Sequence, residues 1–323
     1  MQMIKAIACG VVLATSSSPA LGQAPAPGYA PAPPSHAPAP VVKSGTTVKL
    51  SEHVYLIPDE KVPMVPNVGI IIGSKATLVV DPGMGLKSGQ VVVNEVRRLG
   101  KGGEIYLVNT HFHPEHTTGE AAFPAGTKIL RAAAQQQDVE EMGIKCVQNF
   151  ASRSAAIAGV LEGFTAYRTP AEIFEREKVL DLGGVRARIL RLGPGHTRGD
   201  TVVFVEEERV LFSGDLAMKQ LFPAFATPQS SSRTWLTSLD ELDALKPRTV
   251  IGAHYPVADA TVIGEYRELI KGLQARVAEL KREGKSSDET GELLRNEFRL
   301  KYPGWDQPLR VHAAATRIYA ELP

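Results

Sequence analysis

The sequence predicts an α/β protein in which two β-sheets pack face to face and helices cover both outer faces. Three observations predict it. Short apolar runs bounded by Gly, Pro and Asp recur in both halves of the chain and read as strands. Each half then follows one order, strands, helix, strand and helix, which suits a sheet-on-sheet layer architecture with outer helices. Finally, several of these strands end in a histidine or an aspartate, so one edge of the sheets collects chemistry.

Residues 47–50 and 54–57 alternate as half-buried strands. Residues 58–66 carry Pro58, Pro63 and Pro66 and read as a hairpin tip or flap, with Met64 and Val65 as exposed apolar groups. Residues 68–72 and 76–80 are strands turned by Gly73-Ser74, and Asp81-Pro82-Gly83 closes the second. A helix over 87–99 turns Val91, Val92, Val96 and Leu99 inward. Residues 105–108 form a buried strand and 127–130 a short one. Residues 132–161 are helical, with the period weakened at Gly143 and Gly159. Hairpins follow over 179–192, about Gly183-Gly184, and over 201–213, about Glu206-Glu207-Glu208. A helix over 231–245 bears an apolar stripe at Leu236, Leu239, Leu242 and Leu245. Residues 249–253 are a strand, 260–282 a long amphipathic helix, and helices over 288–300 and 308–322 follow. No internal repeat points to a solenoid.

Composition bounds the partners. The 323 residues with 43% hydrophobic content allow a sizeable core. The 36 basic and 35 acidic side chains leave a formal charge of +1, which gives no reason to expect nucleic acid or an acidic membrane surface as partner. The oligomeric state has no signature in the sequence.

Residues 1–22 read as a signal peptide. Lys5 supplies the basic start, residues 6–14 form an apolar stretch too short to span a bilayer, and Ala20-Leu21-Gly22 offers a cleavage site before Gln23. The expected location is the periplasm or the exterior, with no membrane attachment after cleavage. Residues 23–45 form an Ala/Pro-rich tether. A catalytic domain is expected over 46–283, with a helical extension over 284–323 packed on it. Cys9 leaves with the leader, so Cys146 remains alone, cannot form an intrachain disulfide, and reads as a small buried apolar residue.

The stretch Thr110-His111-Phe112-His113-Pro114-Glu115-His116 sets three imidazoles and a carboxylate within six residues, in a chain of only 8 histidines. It directly follows the strand over 105–108. Neutral imidazole and carboxylate are donors that suit zinc. Three further segments share one design, an apolar strand, a glycine, then a metal-binding side chain. They deliver His196, Asp215 and His254. Glycine near the ligand lets the backbone turn and approach closely.

On these four segments the chain resembles the metallo-β-lactamase fold superfamily over about 48–282. The carriers are the His-x-His-x-acid-His loop, Gly195-His196-Thr197, Phe212-Ser213-Gly214-Asp215 and Gly252-Ala253-His254. The resemblance implies an αββα sandwich of two mixed sheets with a metal site at one edge. It implies His111, His113 and His196 on one ion, Glu115, His116 and His254 on a second, and Asp215 bridging. Asp81 matches an aspartate that supports the ligand loop through hydrogen bonds. Glu115 departs from the family's usual Asp; its extra methylene shifts the carboxylate by about an ångström unless the loop adapts, against a metal-bond tolerance of ~0.2 Å. It is expected to bind the second ion or to act as a base.

The implied activity is hydrolysis of an ester, thioester, lactone or amide of a small molecule by water activated at two zinc ions, with iron or manganese as alternatives. Asp215 would hold the nucleophile's proton, Glu115 or His116 would relay it, and Tyr255 would donate to the developing oxyanion. The loop over 218–228, with Leu221, Phe222 and Phe225, is expected to wall the pocket. Asp215 is kept in glyoxalase II-like thioesterases and lactonases of the family, whereas true β-lactamases with this loop lack it. A β-lactamase and an iron-dependent oxygen or sulfur enzyme on the same fold are the competing readings.

Deletion of residues 1–22 is expected to leave the protein in the cytoplasm, and the exported form is expected to start near Gln23. N-terminal sequencing of that form checks this; an intact Met1 would make the segment an anchor.

Overall fold

The computed structural model describes residues 38–100 and 102–323. The leader, Cys9 and the tether up to residue 37 lie outside the described residues. A seven-stranded sheet runs in chain order: β1 (Val48–Lys49), β2 (Val54–Ile57), β3 (Val68–Ile72), β4 (Ala76–Val80), β5 (Glu104–Val108), β6 (Lys128–Ala132) and β7 (Glu172–Phe174). Its first four strands are antiparallel and β4 to β7 are parallel. The second half builds a five-stranded sheet from β8 (Glu177–Asp181), β9 (Arg186–Arg191), β10 (Thr201–Val205), β11 (Val210–Gly214) and β12 (Thr249–Gly252), in the order β12-β11-β10-β9-β8. Only β11 and β12 pair in parallel. Both sheets are therefore mixed.

Period-two alternation decides which layer each strand residue enters. Ile71, Leu78 and Val80 meet Ala187, Ile189, Val203, Val205 and Phe212 between the sheets. Their neighbours Ile70, Ile72 and Val79 point outward onto Val92, Val93 and Val96 of α1 (Gly85–Leu99). On the second sheet Leu190, Val202, Phe204 and Leu211 point outward beneath Trp235 and Leu239 of α6 (Ser232–Ala244). Strands covered on both faces read as continuous apolar runs, which is why β3, β4, β10 and β11 are buried throughout.

The expected helical stretch over 132–161 is broken. It comprises α3 (Ala133–Asp138), a π-turn (Val139–Gly143), α4 (Ile144–Ala151) and α5 (Ala155–Leu161). α2 is the short helix Pro114–Thr117. The irregular turn falls at Gly143, where an added Cβ would stand 2.7 Å from the Tyr167 ring. The second break comes before α5, where the Ser154 side chain accepts from Ile157 N–H, and Gly159 sits inside that helix. Cys146 is buried in α4 beside Val147 and Phe150, as expected of a small apolar residue.

Other expectations are corrected. Residues 58–66 do not stand off as a flap. Val65 is only 2% exposed and Met64 is half-buried. The cause is Asn67, whose Nδ2 donates to Gly252 O (2.9 Å) and Tyr255 O (2.8 Å) and pins this segment to the end of β12. The tether ends earlier than residue 45, because Val42 is buried and its N–H donates to Ser88 Oγ of α1 (3.2 Å). Strand β7 had no periodic signal in three residues; its pairing with β6 creates it.

The C-terminal helices are α7 (Thr261–Arg282), α8 (Ser287–Lys301) and α9 (Leu309–Glu321). Leu294, Phe298, Val311 and Ile318 of the last two share one core with Trp235, Tyr266 and the second sheet. The extension is thus part of the layer that covers that sheet. Among the described residues no helix is long and apolar enough to cross a membrane.

The sheets approach closely at Gly69, where a Cβ would stand 2.4 Å from Phe212 Cε1. Gly69→Ala is expected to overpack this interface and to cost about 1–3 kcal/mol. Urea unfolding measures it; an unchanged midpoint would show that the interface yields.

Candidate metal centre

Every candidate ligand stands just past a strand end, at one rim of the sandwich. β5 ends at Val108 and delivers His111 and His113, and α2 then carries Glu115 and His116. β9 leads to His196, β11 to Asp215 and β12 to His254. The two sheets are tied at this rim by Thr201 N–H, which donates to Thr110 O (2.7 Å). Gly214 has a positive φ of 57°, and a Cβ there would stand 2.8 Å from Thr110 Cβ. A side chain would push the Asp215 strand away from the histidine loop.

All seven side chains are buried. They form three donor groups, each within 4.8 Å: His111, His113 and His196; His111, His116 and Asp215; and Glu115, His116 and His254. His113 Nδ1 lies 3.0 Å from His111 Nε2 and 3.2 Å from His196 Nε2. Asp215 spans the groups, with Oδ2 3.6 Å from His196 Nε2 and Oδ1 4.0 Å from His254 Nε2. Glu115 Oε1 lies 3.9 Å from His116 Nε2, so the longer side chain still reaches the second group.

The outward ring atoms are fixed by partners. His116 Nδ1 donates to Asp81 Oδ2 (3.0 Å), His196 Nδ1 to Ala224 O (2.5 Å) and His254 Nδ1 to Val65 O (2.9 Å). Thr110 Oγ1 donates to Asp81 Oδ2 (2.8 Å) and lies 3.2 Å from His111 Nδ1, which leaves the hydroxyl as acceptor for that ring. Each of these bonds selects the tautomer whose Nε2 lone pair faces the cluster, the orientation that a metal ligand requires. Asp81 is therefore both the turn residue and the support of the ligand loop. Its Oδ1 also accepts from Thr110 N–H (2.7 Å).

Three inward atoms lack hydrogen-bond partners. Glu115 Oε2, His116 Nε2 and Asp215 Oδ1 are buried without a hydrogen bond. Leaving such atoms unpaired is costly, and a cation between them would satisfy all three. The donor set, five imidazoles and two carboxylates, fits one or two borderline divalent ions.

Electrostatics agree with that fit. Burial and the neighbouring rings push His111 and His113 well below the usual histidine range, so both offer lone pairs at neutral pH. Burial also pulls His254 down, against the opposing field of Asp215. Burial disfavours the Asp215 anion, but His196, His254 and His116 together hold its carboxyl below the usual range. His116 differs. Burial pulls it down, yet Asp81, Glu115 and Asp215 raise it to about 9. Without an ion, a proton on this ring balances the surrounding carboxylates.

Apart from Asp81, the supporting residues were not legible in the sequence, with Asp200 the clearest case. Its carboxylate accepts from the N–H groups of Gly195 (3.0 Å), His196 (2.7 Å) and Thr197 (2.9 Å) and from Thr197 Oγ1 (2.6 Å). The available signal was an aspartate four residues after a histidine in a Gly-rich loop. The loop over 218–228 packs largely inward, with Phe225 against Trp235 (5.0 Å), and supports His196 through Ala224. The Tyr255 hydroxyl donates to Asp306 Oδ2 (2.5 Å).

Known proteins match this arrangement. The model of the Metallo-beta-lactamase superfamily matches residues 62–254. A linear primary-alkylsulfatase of Pseudomonas sp. (strain ATCC 19151) is 22% identical over 214 residues, covering 57% of this chain and 40% of its own. This chain thus spans well under half of that relative. Among solved structures, a stereoselective inverting sec-alkylsulfatase of Pseudomonas sp. has a TM-score of 0.65 at 14% identity, over 85% of this chain and 50% of its own. A metallo-beta-lactamase family protein of Thermus thermophilus has a TM-score of 0.60 at 21% identity, over 84% and 93%. A metallo-beta-lactamase of Pontibacter korlensis has a TM-score of 0.56 at 17% identity, over 70% and 98%. With the family match spanning most of the chain and the strand-end ligands in register with one rim, the chain belongs to the metallo-β-lactamase superfamily.

Proposed function

We propose that the protein is an exported hydrolase that holds two divalent ions, zinc by preference, and cleaves a small ester-like substrate. The observation that carries the reading is Asp215, whose two oxygens face two different groups of histidines. His111, His113 and His196 would hold one ion, and Glu115, His116 and His254 the other. Bound ions of this kind polarise the scissile group and lower the pKa of a water.

The chain's own residues do the rest. Asp215 is held as an anion, so it can orient a water by accepting its proton in a hydrogen bond. Glu115 Oε2 is the second unpartnered carboxylate oxygen of the cluster and can take that proton onward. Asp81 holds the His116 ring, and Asp200 holds the backbone of the His196 loop, so neither ligand needs to reorganise during turnover. In the overall reaction water oxygen bonds to the acyl carbon, the bond to the leaving group breaks, and the leaving group departs with a proton.

Esters, thioesters, lactones and amides remain the first substrate classes. The alkylsulfatase relatives favour a second reading, cleavage of a sulfate ester, in which sulfur or the alkyl carbon is the atom attacked. Zinc is preferred because five of the seven donors are imidazoles. Stoichiometric iron with oxygen uptake would replace this reading.

His111→Ala and His196→Ala are each expected to abolish turnover, to lower the metal count, and to leave the fold intact, since both lie at the rim and outside the apolar clusters. Elemental analysis, circular dichroism and a panel of esters, lactones and alkyl sulfates check this. Full activity in either metal-loaded variant would remove that residue from the site. Glu115 distinguishes ligand from base. As a ligand, Glu115→Asp and Glu115→Gln are both expected to weaken the second ion. As a base only, both variants would keep two ions and Gln would lose far more turnover than Asp.

A further inference from the structure

One short helix joins the two loops that carry the first group of histidines. α3 leaves the first sheet directly after β6 and turns two polar side chains inward, Gln135 and Asp138, both 0% exposed. Gln135 fixes the helix to the histidine loop. Its Nε2 donates to Asn109 O (3.1 Å), and Asn109 Nδ2 donates to His116 O (2.7 Å). Asp138 reaches the loop of the other sheet. Its Oδ2 accepts from Gly199 N–H (3.0 Å), and its Oδ1 lies 3.3 Å from Arg198 Nε in an ion pair. Arg198 Nη2 also pairs with Glu141 Oε2 (2.6 Å), in the π-turn that follows α3. A Cβ on Gly199 would stand 2.3 Å from Gln135 Cα, so the helix backbone sits directly on the loop. Past the π-turn, α4 sets the Phe150 ring 6.0 Å from the His113 ring.

These contacts complete the support of His196. Asp200 holds the N–H groups of residues 195, 196 and 197, but it belongs to the same loop and moves with it. Thr201 N–H ties the loop to Thr110 O on the other sheet. A single tie is a pivot; the bond from Gly199 to Asp138 adds a second point and fixes the orientation. His196 Nε2 stands 3.2 Å from His113 Nδ1, so a small rotation of the loop would open the group. The choice of a carboxylate points beyond packing. Burial pushes Asp138 up to about 7, against the pull of Arg198, whereas an asparagine would accept from Gly199 without that cost. The charge engages Arg198, two residues after His196, and strengthens the grip on the loop. The second group is held from elsewhere, His116 by Asp81 and His254 by Val65 O.

We propose that Asp138 is a positioning residue for the ion held by His111, His113 and His196. It locks the His196 loop onto α3, so this ion depends on it and the ion at Glu115, His116 and His254 does not. The inference rests on the two-ion reading above and adds to it a residue that lies outside the ligand segments.

The test uses the full chain as wild type, Asp138→Ala and Asp138→Asn. Stepwise zinc affinities are measured by competition with a chromophoric chelator, and again in a His254→Ala background, which retains the first group of ligands. For Asp138→Ala one affinity is expected to fall about ten- to a hundredfold, the other to change less than about twofold, and the loss to persist beside His254→Ala. Asp138→Asn can still accept from Gly199 N–H but cannot pair with Arg198, and is expected to fall in between. A merely structural role would lower both affinities together; that result, or no loss, overturns the proposal. If the Ala variant does not fold, the Asn variant carries the comparison. A selective loss in it supports the proposal, and wild-type affinities in it overturn the role of the carboxylate. Should the wild type bind no zinc, the two-ion reading fails by itself, and amide hydrogen exchange of the metal-free proteins decides for Asp138. Faster exchange confined to residues 193–201 in Asp138→Ala supports its hold on the loop; unchanged or uniformly faster exchange overturns it.

Discussion

Seven ionisable residues meet at one rim with none more than 8% exposed, and the rest of the architecture answers to that constraint. Polar groups removed from water must be paired. The protein pairs their outward atoms itself, through Asp81, Thr110, Ala224 and Val65. The inward atoms face each other, which is tolerable only when a cation or a proton stands between them. The high affinity of His116 for a proton expresses the same demand, since three carboxylates surround that ring. The cluster is thus a charge-balance problem that a bound cation would solve.

The cluster also explains why the two sheets cannot slide freely. One sheet carries His111, His113, Glu115 and His116, and the other His196, Asp215 and His254. Backbone ties cross between them at the rim, from Thr201 N–H to Thr110 O and from Asn67 N–H to Ala253 O. Gly214 allows a close approach to Thr110, and Gly69 allows the sheets to close on Phe212 further inside. Packed cores resist such shifts, so ligand geometry is inherited from inter-sheet packing.

The second sheet is covered by a layer that includes α8 and α9, and this layer reaches the site. Asp306 and Arg310 approach through the loop over 218–228, and Tyr255 joins them beside His254. The candidate ligands thereby come from strand ends in the family-matched region, while part of the packing around them comes from outside it. Such a division lets one scaffold keep its chemistry as the surrounding elements vary.

The sequence by itself determined the fold class, most strands and helices, and the seven residues that the fold gathers at one rim. It could do so because each rests on local chemistry. Two-residue alternation marks a strand, and few side chain types can bind a metal, so His111, His113, His196 and Asp215 stand out wherever they occur after apolar runs. Even Glu115, one methylene longer than the family's residue, was legible as a ligand candidate. Tertiary structure decided the remainder. Val65 is buried because Asn67 reaches residue 252, Val42 docks because Ser88 lies beneath it, and β7 exists because β6 pairs with it. Asp200 has no local signature, since its role depends on which backbone groups fold around it. Tyr255 stands beside His254 in sequence, but the partner of its hydroxyl, Asp306, lies 51 residues away. Local pattern records what a residue can do; only long-range packing sets the partners it does it with.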